Sequence, residues 1–171
     1  MRTLALLGAF LLACTPDTTS SFRSTERIDS QDPELPSPAV YDLAGVARVR
    51  VWSTGGYIGT SDDPMTQIGI AVENTGKRPL VFDGDAASLA LYDDAGALLP
   101  APQLAVISPL GPSKITIAPG ARTTLELHYK LDVKLGRVAA MTARWTLISG
   151  KERIARTTGF VRDGEPALLG R

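Results

Sequence analysis

The stretch Arg122-Thr123-Thr124-Leu125-Glu126-Leu127-His128-Tyr129 alternates polar and apolar side chains without a break. A period of two marks a strand with one buried face, because successive side chains leave a pleated backbone on opposite sides. It predicts Leu125, Leu127 and Tyr129 inward, and Arg122, Thr124, Glu126 and His128 outward. The pattern recurs upstream. Gln67-Ile68-Gly69-Ile70-Ala71-Val72-Glu73 puts Ile68, Ile70 and Val72 on one face, and Val46-Ala47-Arg48-Val49-Arg50-Val51-Trp52 interleaves arginines with valines. Between these runs stand turn residues: Asn74-Thr75-Gly76-Lys77 before Pro79-Leu80-Val81-Phe82, and Asp93-Asp94-Ala95-Gly96 between Ser88-Leu89-Ala90-Leu91-Tyr92 and Ala97-Leu98-Leu99. Ile115-Thr116-Ile117 meets Ala118-Pro119-Gly120 just before the opening stretch. Met141 to Ile148, the turn Ser149-Gly150-Lys151, and Arg153 to Val161 read as a last hairpin.

No long segment has helical periodicity, and no repeat of solenoid length is present. Seven to eight strands in roughly 120 residues predict an all-β fold, a single immunoglobulin-like antiparallel β-sandwich over residues 39–162. The chain of 171 residues, 44% hydrophobic and 21% charged, has the composition of one globular domain with attached segments. Formal net charge is zero, so no broad basic field exists to recruit nucleic acid. One histidine and one cysteine give little means of building a transition-metal site, and one cysteine forms no disulfide within the chain. The expectation is a protein without a cofactor, held together by its core.

The N-terminus carries a different signal. Arg2 precedes the apolar run Leu4-Ala5-Leu6-Leu7-Gly8-Ala9-Phe10-Leu11-Leu12. That run is too short to cross a bilayer core, which takes roughly 20 residues, and has the length of a signal-peptide core. Leu11-Leu12-Ala13-Cys14 resembles the lipobox of bacterial lipoproteins. The resemblance implies removal of residues 1–13 and acylation of Cys14, which makes the lipid bilayer the first partner. Thr15, where an aspartate would favour inner-membrane retention in enterobacterial relatives, implies the outer membrane facing the periplasm. Residues 14–38, rich in small polar residues and proline, read as a flexible tether, and 163–171 as a tail. Val72-Glu73-Asn74-Thr75-Gly76, Leu91 to Gly96 and Pro119-Gly120 are similar in order to the turns of immunoglobulin-like domains in envelope lipoproteins. These are turn chemistry and speak for fold rather than activity.

Catalytic constellations are hard to assemble from these residues. His128 is the only imidazole, and strand parity makes it a solvated outward residue. No Gly-x-Ser-x-Gly elbow exists, and Thr75-Gly76-Lys77-Arg78 lacks the rest of a phosphate loop. Asp83, Asp85, Asp93 and Asp94 flank one strand pair and form the one calcium alternative, against the plain reading that tight turns require Asp and Gly. Arg48, Arg50 and Trp52, outward by parity and leading into a loop with Tyr57, have the composition of a contact surface for an envelope protein. The competing reading has Trp52 folding over one end of the sandwich as a lid. The functional expectation is a non-catalytic envelope lipoprotein that works by protein contact or accessory scaffolding, with calcium or small-ligand binding as the alternative.

Overall fold

The computed structural model describes residues 21–25, 38–108 and 113–163. Two antiparallel sheets share one core. The first runs β2 (Ala39–Leu43), β3 (Ala47–Ile58), β4 (Pro64–Asn74), β9 (Arg122–Lys130) and β7 (Gln103–Ser108), in that order across the sheet. The second runs β1 (Phe22–Ser24), β11 (Glu152–Arg162), β10 (Ala140–Ser149), β5 (Leu80–Asp83) and β8 (Lys114–Ile117). β6 (Ser88–Tyr92) also pairs with β10, along the half of that strand that β5 leaves open. The inward residues meet between the sheets: Val49, Val51, Ile68, Ile70, Leu125 and Leu127 from the first, Leu80, Phe82, Leu91, Trp145, Leu147 and Phe160 from the second. The parity read from residues 122–129 holds, with Leu125, Leu127 and Tyr129 all buried. Trp145 is fully buried; its indole N–H donates to Thr158 Oγ1 at 3.1 Å and its ring meets Tyr41 edge-on at 5.2 Å. The burial therefore leaves no polar atom of that side chain unsatisfied.

Among the described residues there are eleven strands, against the seven to eight expected. β1 lies in the stretch read as tether; it pairs Phe22 with Arg162 and Ser24 with Phe160, and Phe22 is 3% exposed. Phe22 enters the core there, while Arg23 meets Asp163 at 3.8 Å and Thr25 bonds to the Gly159 carbonyl. β7 and β2 lie in proline-flanked segments with no clean alternation, which hides edge strands from a periodicity argument. Conversely, Ala97-Leu98-Leu99 forms only an isolated bridge to Tyr92.

The turns at one end explain the Asn-Thr-Gly sequence. Asn74 is fully buried; its amide donates to the carbonyls of Arg78 and Ile117, both at 2.9 Å, and its Oδ1 accepts from Gly76 N–H at 3.0 Å. One side chain thus ties the β4–β5 turn to β8. This far end also carries exposed Lys77, Arg78 and Lys151. At the opposite, near end the chain enters β1 beside the exit from β11, Asp163 N–H donating to Ser21 C=O at 3.0 Å. The near end also holds the turn after Tyr92, since Tyr92 pairs with Ala140 and Ala140 with Val161. The β3–β4 hairpin lies there too.

Candidate functional site

The site lies on the outer face of the five-stranded sheet, towards the near end, and a β-bulge creates it. From Val49 to Ser53 the odd residues of β3 face the core. Register then shifts between Ser53 and Gly55, so that Gly55 pairs with Gln67 and Tyr57 with Met65. Gly55 has φ +96°, a conformation that favours glycine, and its N–H donates to Ser53 Oγ at 3.1 Å. Thr66 Oγ1 donates to Gly55 C=O at 2.9 Å and pins the bulge from β4. The extra residue reverses the parity of everything beyond it. Tyr57 therefore points outward, where an uninterrupted strand would have buried it. A second bulge, between Leu104 and Val106, sets Val106 opposite His128.

A groove of about 390 Å³ runs between these features. Met65, Ala105 and Val106 supply apolar lining, Tyr57, His128 and Lys130 the polar groups, and the hairpin at residues 59–63 forms one wall. Tyr57 Oη lies 2.7 Å from His128 Nδ1, with the two rings edge-on. Burial raises the Tyr57 pKa above its ordinary value, and the charge of Glu126 adds to the rise. The phenol is thus a hydroxyl at neutral pH, and when it donates to Nδ1 it leaves the imidazole proton on Nε2. That nitrogen lies 3.7 Å from Glu126 Oε2. Lys130 Nζ sits 2.8 Å from Asp63 Oδ2; this hydrogen bond, followed by the charge of Asp63, raises the Lys130 pKa. Lys130 and Asp63 at the rim are matched to each other, so the groove offers an apolar floor and oriented hydrogen-bonding groups.

The sequence-derived candidates fare differently. Arg48 is exposed, 4.0 Å from Asp42, and Arg50 is half-buried. Trp52 is on the outer face as parity required, yet only 8% exposed. It lies flat over Gly69 on β4: a Cβ at residue 69 would come within 2.1 Å of its indole ring. Trp52 is thus neither the exposed anchor of a contact stripe nor a lid on the core. Tyr57 belongs to strand β3 rather than to a loop, and it teams with His128 rather than with the arginines. His128, expected to be solvated, is 21% exposed and held on both sides. The signal that marks this pairing is Gly55-Gly56 inside an alternating run, which indicates a bulge and hence a change of face.

The four aspartates of the calcium alternative do not converge. Asp83 ends β5, is 4% exposed and engages Arg153 Nη1 through Oδ2 at 3.1 Å. Asp93 lies beyond β6, whose five residues span about 17 Å, and its Oδ1 accepts the N–H groups of Ala95 and Ala97. That carboxylate is turn chemistry. Asp85 and Asp94 are solvent-exposed. Among the described residues no three His, Cys, Asp or Glu side chains gather as a metal site would require. Cys14 lies outside the described residues.

No protein-family model and no curated protein matches the sequence. Among solved structures, the chain is similar to a FixG-related protein of Vibrio parahaemolyticus, at 14% identity and TM-score 0.44, covering 70% of this chain and 99% of that one. A candidate lipoprotein of Bacillus subtilis gives 15% identity and TM-score 0.40 over 70% of this chain and 37% of its own. The seventh PapD-like domain of human CEP192 gives 13% and 0.36 over 60% and 74%. At such identities nothing about activity or partners transfers from any of them.

Proposed function

We propose that the chain is an exported bacterial lipoprotein, held at the cell envelope through acylated Cys14, on the outer membrane facing the periplasm. Its sandwich, read as immunoglobulin-like, works without catalysis by gripping an envelope protein. The observation that carries the contact reading is the groove beside Tyr57 and His128. It has an apolar floor open along the sheet, aromatic and hydrogen-bonding groups in fixed orientation, and rim charges already paired. These are the properties of a patch that takes an uncharged side chain from a partner. The raised pKa of the Tyr57 phenol supports the reading without catalysis, since a hydroxyl held protonated is a poor nucleophile.

Crosslinking in intact envelopes tests the proposal. Wild-type chain should give a discrete adduct, and Tyr57→Ala and Val106→Asp should each lower its yield at least several-fold, as loss of about 2 kcal/mol of binding would. Arg48→Ala should leave the adduct intact, and melting temperatures should report all three variants folded. An undiminished adduct in both groove variants would remove the groove as the contact. In the same cells Cys14→Ser should abolish acyl labelling, and a wild-type chain without label would remove the anchor.

A further inference from the structure

We propose that the sandwich docks on the bilayer surface by its near end, with Leu98 entering the lipid. This rests on the reading of Cys14 as the lipid anchor. Phe22 is fixed in the fold, 3% exposed and paired with Arg162. Cys14 lies eight residues before it, and eight residues span at most about 28 Å however they are arranged. β4, with eleven residues, is about 37 Å long. The tether is therefore too short for the domain to stand upright on its far end, where Lys77, Arg78 and Lys151 lie, and it favours orientations with the near end towards the membrane.

The near end presents one apolar turn among charged ones. The turn after β6 is held rigid: Asp93 Oδ1 accepts from Ala95 and Ala97, Gly96 takes φ +77°, and Leu99 N–H donates to Leu91 C=O at 2.9 Å. Its projecting side chain is Leu98, 69% exposed, flanked by exposed Ala95, Ala97, Pro100 and Ala101. No charged residue occurs from 95 to 113. Three large hydrophobic side chains are exposed among the described residues, and two of them, Leu98 and Ile58 at 47%, lie at this end. Ile58 ends β3 next to the hairpin. Formal charges at the same end are mixed, with exposed Arg23, Lys134 and Arg137 against exposed Asp62, Asp94, Asp132 and Asp163. The grip is therefore apolar rather than electrostatic, and it supplies a second, orienting hold beside the acyl chains.

The full lipidated chain can be tested directly, because acylated Cys14 has no free thiol. Leu98→Cys and Lys77→Cys variants, each labelled with a fluorophore, are reconstituted in phosphatidylethanolamine–phosphatidylglycerol vesicles that contain nitroxide-labelled lipid. Quenching at residue 98 should exceed that at residue 77 several-fold. In an Ala97→Cys background, Leu98→Asp should bring the quenching down to the far-end level. Protein that floats with the vesicles but is quenched equally at the two ends would overturn the docking and leave the anchor standing. Protein that fails to float would overturn both. A label at residue 98 shielded from aqueous iodide before vesicles are added would place a protein surface there and overturn the docking as well.

Discussion

At position 69 a single hydrogen in place of a Cβ decides where Trp52 goes. The two residues pair across β3 and β4, and the indole occupies the space a side chain would need. Gly69→Ala should cost about 1–3 kcal/mol, as overpacking does, because ring and methyl cannot share the site. In a Trp52→Ala background the same change should be neutral or stabilising, since the clash is gone and a residue more restricted than glycine replaces it. Urea unfolding of the four chains checks this, and equal cost in both backgrounds would dissociate the pair. Tyrosines govern the alkaline limit. Burial raises the pKa of Tyr129 and of Tyr57, so the folded state holds their protons more tightly than the unfolded chain does. The contribution is fully present below about pH 10, the unfolded value, and is lost as pH rises from there through the folded values. Unfolding free energy should fall steeply above that point in wild type and less so in Tyr129→Phe.

Among the elements, the two that matter most to the site were the least legible. Alternation located β9 and the first half of β3 because one face of each meets an apolar core. A parity count stops being valid at a bulge, so the placement of Tyr57 required the register shift at Gly55 to be recognised first. β7 offered no periodicity to count: its exposed and half-buried residues, Gln103 to Ser108, mix apolar and polar types on both faces, as an edge strand with its own bulge allows. β1 is three residues long, and only Phe22 distinguishes it from linker. Its contribution is measurable. A chain shortened to begin at Ala39 keeps both sheets but loses Phe22 from the core and uncovers the edge of β11. It should be less stable than one beginning at Ser21 by about 3–5 kcal/mol, the usual cost of removing a buried aromatic. Equal melting temperatures would mean that β1 rests on the sandwich without supporting it.

For the molecule as a whole, two stacked sheets were legible from the succession of short runs and turns, while the difference between its two ends was not. End character depends on which turns the topology brings together. The turn after Tyr92, the hairpin after Ile58 and the entry at Ser21 are far apart in sequence and share one end only because β1, β3, β6 and β11 all begin or finish there. The pairing of Phe22 with Arg162 has a kinetic consequence. It closes a loop of 140 residues, the longest sequence separation of any strand pairing among the described residues, for the return of three residue pairs. The entropy of closing so long a loop has to be met before those few contacts reward it, which sets β1 among the last elements to form and the first to fray. β1 cannot find its partner until β11, at the other end of the chain, is available. The first strand thus completes the domain last, and amide hydrogen exchange should be fastest there among the paired strands.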